Sequence, residues 1–535
     1  MNSAKNIFIP KNYNLKSLFW AFSLLCISFS PLLFNFIWGN HDWASISTYN
    51  TIFSGMIEGR ITQYIFAVPL LDGKIIPILN TTLGFFFYCL SLTILSKYFF
   101  QFNTQNAKYP LIISTIATLP YINEIIYFQF IVLSQLIWPF IISISLVFAK
   151  KAKQSSYILN TFLSTILLLT SISGYPACGN LYITGSILYA IQLNTTEINI
   201  KKTLKNLSPF IISFVISYTI LYFAYNYMLT NAIINTSYNN STLPLLEILK
   251  KLPFILKTSI LSLLQTQPFF PFSFKVITFA LIMYFSISYI CSFSSTKNHI
   301  LSALLILFLL IGIKYSALLT NEAAEDYFSQ KDPIGFAIRT DFFSIPLLLL
   351  YILSTLFGSS KKFNQNLCLL ACSILLFINI NSNLHYSKVQ LFGFKAEINL
   401  LERIINRITS SPNFNQNNLY SVTQTGEISL RKKYYTPSKY EKYGFYTLHT
   451  AFTRYWLTPD FYNFYEPFRF ASSSQGINPA DISPKMIDFM SYKTPLWPHP
   501  SSTYIDDKYI IILTAPKEKN TMVLQLKKIQ QGLNQ

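Results

Sequence analysis

The strongest constraint on this chain is a series of long apolar runs separated by short loops that alternate in charge. A helix needs about 20 apolar residues to cross a bilayer. Runs of that character lie at 17–38, 75–96, 109–122, 127–149, 157–173, 179–193, 207–229, 273–293, 299–319, 340–358 and 366–382, eleven in all, the third, fifth and sixth being short. Only 12% of the 535 residues are charged and 51% are hydrophobic. Soluble domains carry about 25% charged residues, so the chain reads as an integral membrane protein.

The loops set an orientation. One group carries Lys5, Lys11 and Lys16, then Lys97 and Lys108, then Lys150, Lys151 and Lys153, then Lys201, Lys202 and Lys205, then Lys297, then Lys361 and Lys362. The loops between them carry Asp42, Glu58 and Asp72, then Glu124, then Glu322, Glu325, Asp326 and Asp332. Basic loops stay on the cytoplasmic side, so the N-terminus is expected inside and the acids outside. The formal net charge of +19 is then topology signal and contact with anionic lipid; nucleic acid is not an expected partner. No small-residue cleavage site follows the first run, which is expected to remain as a span.

Two outer segments have helical apolar periodicity and are expected to lie in the interface, near 50–70 and near 244–264. The first repeats Phe53, Met56, Ile57, Ile61, Tyr64, Ile65 and Val68; the second repeats Leu245, Ile248, Leu249, Leu252, Ile255 and Leu256, with Lys250, Lys251 and Lys257 beside the stripe. The pattern changes near 383. No span follows; 384–410 reads as an amphipathic helix, and 419–422, 509–513 and 522–526 read as short strands. The expected architecture is mainly α: a polytopic membrane domain over 1–383 with about eleven transmembrane helices, then a small α/β extracytoplasmic domain over 384–535. Six cysteines, without a CxxC pair, read as small core residues rather than a disulfide framework.

Chemistry-bearing residues gather in the expected outer loops. Trp38-Gly39-Asn40-His41-Asp42-Trp43 is the first polar sequence after the first span, and Glu58-Gly59-Arg60 follows. Glu124 sits in the apolar hairpin Tyr121-Ile122-Asn123-Glu124-Ile125-Ile126, where a carboxylate is costly unless it has a partner or a task. Lys314 lies inside the ninth span, and Arg339 and Asp341 open the tenth at the outer surface, as an anchoring ion pair or as a phosphate clamp. No nucleotide-binding glycine loop, HExxH, GxSxG or zinc-spaced Cys/His set is present. An outer-face site has no access to cytosolic sugar nucleotides or ATP, whereas a sugar on a polyprenyl phosphate reaches it within the membrane. Transfer from such a donor needs a carboxylate as base, a cation for the leaving phosphate and aromatic rings for the sugar. Asp42, Arg60, Trp38 and Trp43 are of those types. The bland alternatives are a helix cap for Asp42 and an interfacial belt for the tryptophans. His41 reads as a hydrogen-bonding neighbour rather than a metal ligand.

The order of these pieces resembles the Gtr type II glucosyltransferases, membrane enzymes that modify bacterial O-antigen. The resemblance rests on His41-Asp42-Trp43, on Glu58-Gly59-Arg60, on Pro120-Tyr121-Ile122-Asn123-Glu124 with Phe128-Gln129-Phe130, on Ser173-Gly174-Tyr175-Pro176-Ala177, on Arg339, and on Pro495-Leu496-Trp497-Pro498 through 509–513. A single Asp42 stands where that family has two acids, and Pro176 stands where it has Gln. The resemblance implies a GT-C-like fold in the bacterial inner membrane, with the C-terminal domain periplasmic. It implies a polyprenyl-phosphate-glucose donor and a surface polysaccharide or lipid-linked glycan acceptor.

The expected function is therefore a lipid-phosphate-sugar-dependent hexosyltransferase. Asp42 and Glu124 are the catalytic candidates; Trp43, His41, Glu58, Arg60, Tyr175, Lys314 and Arg339 are the substrate-binding candidates. No metal ligands are assigned, although Asp42 and Glu124 could share a magnesium or manganese ion. The alternatives are a flippase or transporter of lipid-linked sugars and an O-antigen polymerase or ligase. No internal repeat of the transporter kind is evident.

Overall fold

A chain in hydrocarbon must satisfy its backbone polar groups within each crossing segment, which makes a helix the default. Each of the eleven expected spans carries one. They are α1 (Leu15–Ser28), α2 (Pro77–Ile94), α3 (Tyr109–Ala117), α4 (Val132–Lys151), α5 (Tyr157–Gly174), α6 (Gly179–Leu193), α7 (Ile200–Thr230), α8 (Phe272–Cys291), α9 (Thr296–Ile313), α10 (Ile345–Gly358) and α11 (Lys362–Thr409). Seven of them, α2, α4, α5, α7, α8, α9 and α11, are long and apolar enough to cross a membrane. The protein is a mainly helical, membrane-embedded chain with little sheet.

The computed structural model describes residues 15–35, 37, 61–65, 77–104, 106–126, 132–195, 197–231, 252–253, 255–257, 259–260, 263–264, 269–313, 341–425, 434, 483–489, 498–499, 502–507 and 509–513. The side chains of Tyr64, Pro77, Glu124, Ile487, Leu513 and 421–425 lie outside that description.

Prolines and serines shape the helices together. Pro209 inside α7 cannot donate to the carbonyl of Lys205, and Ser208 Oγ fills that place at 2.9 Å. Pro139 inside α4 likewise frees the carbonyl of Gln135. The last turn of α2 widens into a π-turn, Leu95–Phe99. It closes with Phe100 N–H on Leu95 O at 2.8 Å.

Between helices the lipid offers no hydrophobic drive, so close packing and interhelical hydrogen bonds hold the bundle. Ser91 and Ser143 join α2 to α4 at 2.8 Å, and Ser145 donates to Ser164 O on α5 at 2.8 Å. Ser213 and Ser217 of α7 donate to Thr161 O and Thr165 O of α5 at 3.2 and 3.0 Å. Asn379 and Asn383 of α11 donate to Thr115 O and Thr118 O at the end of α3, at 3.0 and 2.8 Å. Small residues let backbones approach: a Cβ on Gly84 would meet Leu136 Cδ1 at 2.8 Å, and one on Gly174 would strike the Trp138 ring.

At the centre stands α10. Every residue from 345 to 354 is buried, as expected of a helix apolar on all sides. Its neighbours include α3, α6, α8 and α11. The lysine-bearing loops share one end of the bundle. There Gln192 Nε2 donates to Phe100 O at 2.8 Å, Tyr289 OH donates to Asn194 O at 3.0 Å, and the Tyr109 ring lies tilted against Phe357.

The helix expected at 384–410 is not separate. At 48 residues, α11 is one uninterrupted helix about 72 Å long at 1.5 Å per residue. It outruns the roughly 30 Å hydrocarbon layer, and residue 383 falls in its middle. At its far end Arg407 donates through both Nη atoms to Pro498 O and His499 O, each at 3.0 Å. Beyond it a three-stranded sheet forms from β1 (Ser421–Thr425), β2 (Thr503–Ile505) and β3 (Tyr509–Leu513) in the order β1-β3-β2. β1 runs parallel to β3 from Ser421 opposite Tyr509 to Thr425 opposite Leu513, and β2 pairs antiparallel with Ile505 opposite Ile510. The apolar run at 509–513 becomes the central strand, with Ile510, Ile511 and Ile512 all buried; the run at 522–526 lies outside the described residues.

Of the second amphipathic pattern, helical residues between 252 and 264 are described. Ile255, Ser259 and Leu263 are buried at four-residue spacing while Lys257, Ile260 and Leu264 are exposed. Of the first pattern, the helix Ile61–Ile65 is described.

Candidate functional site

The end of the bundle away from the lysine loops gathers an unusual set of buried polar groups. It is built where α3 stops. Pro120 starts a short 3-10 turn, Pro120–Ile122, which runs directly into the helix Asn123–Ile126. This places Tyr121 inward and fully buried. Facing it, the chain enters α8 through Phe269, Phe270 and Pro271. Phe269 has a positive φ of 63°, a backbone state costing about 1–2 kcal/mol in a non-glycine residue. Its ring is held by His385 and Tyr386 of α11, at centroid distances of 5.7 and 5.0 Å. Its carbonyl accepts from Ser382 Oγ. The turn is thus fixed by packing on α11, and it delivers Phe270 onto Tyr121, ring to ring at 4.9 Å.

Three residues into α8 lies the cation. Lys275 is 2% exposed. Its Nζ stands 5.4 Å from the Tyr121 ring centroid and 4.8 Å from that of Phe270, both within cation–π range. A carboxylate is buried at the same end of the bundle. Asp341, just before α10, is fully buried within electrostatic range of the Tyr121 phenol. The Phe342 ring packs tilted against Tyr88 at 5.1 Å and the Phe343 ring against Tyr175 at 5.6 Å, so the turn that carries Asp341 is wedged into the bundle. An acid and a base buried around one tyrosine are costly to desolvate and are kept where they act on each other or on a ligand.

Two neutral amides lie buried in the same hairpin. Asn123 and Gln135 are 0% and 1% exposed, and neither the oxygen nor the nitrogen of either amide has a hydrogen-bond partner among the described residues. Buried polar atoms of this kind are uncommon.

The expected site residues divide as follows. His41, Asp42, Trp43, Glu58, Arg60, Lys314 and Arg339 lie outside the described residues, as does Trp38. Glu124 has its backbone in the helix Asn123–Ile126, beside the cluster, while its side chain lies outside the description. Tyr175 is described: buried, extended at φ −155°, and packed on Phe343. Thr62, two residues after Arg60, bonds to Ser173, so the helix Ile61–Ile65 docks beside Tyr175 at the end of α5. Asp341 was expected at the surface and is instead buried, because it precedes the central helix rather than a peripheral one. Lys275 is not among the residues expected from the sequence. Its signal was a single lysine in the first turn of an apolar span, at the end where basic residues are otherwise scarce.

Among the described residues no three His, Cys, Asp or Glu side chains converge to hold a metal. No protein-family model, curated protein or solved structure matches this chain.

Proposed function

We propose that the protein is a membrane glycosyltransferase that moves a sugar from a polyprenyl-phosphate donor to a surface glycan, on the outer face of a bacterial inner membrane. The observation that carries this reading is the buried Asp341–Tyr121–Lys275 cluster at the end of the bundle opposite the lysine loops. If those loops are cytoplasmic, the cluster lies at the depth where a lipid-linked phosphate meets water. A carboxylate suits removal of the acceptor proton, and an ammonium suits the phosphate that leaves. Asp42 and Glu124 stay the catalytic candidates from the sequence, with Asp341 beside them. Arg60, Lys314 and Arg339 are phosphate candidates; His41, Trp43, Glu58 and Tyr175 are sugar contacts. Glucose as the sugar, O-antigen as the acceptor, eleven crossings and a periplasmic C-terminal domain complete the proposal. All four follow from the family resemblance, the apolar runs or the loop charges.

The test is mass analysis of surface polysaccharide from a deletion strain carrying wild-type protein, Asp42→Asn or Asp341→Asn, with insertion checked by membrane immunoblot. Loss of one hexose per repeat, restored by wild type alone, is expected. Loss of chain length points to a polymerase, and loss of all surface glycan to a flippase. If both variants restore the hexose fully, neither carboxylate is the base.

A further inference from the structure

A second feature lies on the flank of the bundle. Helices α6, α7 and α9 enclose a cavity of about 450 Å³, lined by Ile183, Ile187, Phe210, Phe214, Phe308 and Gly312 among others. That volume lies in the range of about 300–1,000 Å³ usual for small-molecule sites. Its wall is hydrocarbon throughout. The two polar side chains on it are turned into the protein: Ser186 Oγ donates to Tyr182 O at 2.8 Å, and Tyr182 OH bonds Ser164 Oγ at 3.2 Å. Ile211 and Phe308 on its rim are 47% and 55% exposed, so it opens sideways, at the depth of apolar membrane-length helices.

The cavity also has a direction. Its last residue along α9 is Gly312, where a Cβ would meet Ile187 Cδ1 at 3.0 Å and Ile183 Cγ2 at 3.1 Å. The next residue, Ile313, accepts from Ser344 Oγ at 3.1 Å, and Ser344 N–H bonds Asp341 O at 3.1 Å. One end of an apolar, laterally open groove therefore abuts the turn that carries the buried carboxylate. A chain lying in it would present its head group to that turn.

The geometry points to this groove as the docking site for the isoprenoid chain of a polyprenyl-phosphate substrate. The inference rests on the function proposed above, and it adds which surface admits the donor and from which side. Continuity with the Asp341 turn favours a substrate lipid over a bulk phospholipid, whose head group has no reason to stop there. The glycine at 312 keeps the upper end open, and any larger side chain narrows it.

The experiment is photolabelling of the full-length protein in lipid nanodiscs with a diazirine-bearing polyprenyl phosphate, and in parallel with a diazirine-bearing phosphatidylcholine. Labelled peptides are mapped by mass spectrometry. The isoprenoid probe is expected to label peptides spanning 183–190, 207–214 and 305–312, and excess phosphatidylcholine is expected to leave that label in place. Gly312→Leu and Ile211→Trp should each weaken labelling about tenfold, equivalent to about 1.4 kcal/mol. Ile211 is half exposed, so its variant tests the groove without burdening the core. Equal labelling by the two probes, displacement by phosphatidylcholine, or unchanged labelling in both variants overturns the inference. Labelling needs no sugar transfer, so a protein that binds the isoprenoid here without altering surface glycan would refute the proposed reaction and leave the groove standing.

Discussion

Two lysines at opposite ends of the bundle show how burial alone misleads. Lys150 and Lys275 are 8% and 2% exposed, and each lies against aromatic rings. Lys150 closes α4 among the loop lysines, donates to Phe99 O, and has Tyr189 at 5.4 Å. Its partners are a carbonyl and rings, and no buried carboxylate is described beside it. Lys275 opens α8 at the other end, sharing Tyr121 with the buried Asp341. The first arrangement ties a π-turn to a neighbouring helix. The second sets opposite charges around a polarisable group, which is what chemistry on a charged substrate needs. Two lysines of similar burial thus do different work, and their surroundings decide which.

Removing the acid should have the largest effect. Asp341→Ala removes a fully buried carboxylate, and breaking the interactions of a buried charged group costs about 3–5 kcal/mol. A thermal melt in detergent reads that loss directly. Sugar transfer should vanish as well. A variant that melts like wild type would mean that the Asp341 carboxylate does not hold the turn before α10.

Next comes the separation of the two lysines by activity. Lys275→Met keeps the stem and removes the charge. If the cation stabilises a leaving phosphate, transfer should fall by about 10²-fold or more, with the protein still inserted. Lys150→Met should leave transfer untouched. Equal losses in the two variants would erase the distinction between them.

That distinction was only half legible in the sequence. Spans and loop signs could be read because hydrophobic length and lysine position are local properties. All eleven expected segments carry helices, and the run at 509–513 is the central strand. Asp341 was visible as a polar residue opening a span, but whether that span lay at the centre or the edge depends on how the helices pack. Lys275 was overlooked for the same reason: one lysine in Phe272-Ser273-Phe274-Lys275 looks like a residue reaching for the interface. Only the fold of the turn at Phe269, held by His385 and Tyr386, brings it onto Tyr121. The unbroken α11 was hidden because its composition changes from apolar to amphipathic near 383 while its backbone does not.

A smaller effect tests the anchoring role. Lys150→Met also deletes the charge-assisted bond to Phe99 O, and hydrogen bonds to charged groups contribute about 1.5–3 kcal/mol. The expected outcome is a lower melting point with full transfer, whereas Lys275→Met loses transfer. A Lys150 variant that lost transfer at unchanged stability would move the working site to the lysine-bearing end.

The smallest effect concerns the seam beside the site. Asn379 and Asn383 sit one turn apart on α11 and donate to the last carbonyls of α3, just before the Tyr121 turn. Interhelical hydrogen bonds in membranes average about 0.6 kcal/mol, so Asn379→Leu or Asn383→Leu should shift the melt only slightly. Their positions should still rank them. Asn383 holds Thr118 O, three residues from Tyr121, whereas Asn379 holds Thr115 O a turn further in. If the Tyr121 turn is positioned by this seam, Asn383→Leu lowers transfer more than Asn379→Leu at equal stability. Equal transfer in the two variants would show that the turn is held from the Phe270 and Lys275 side instead.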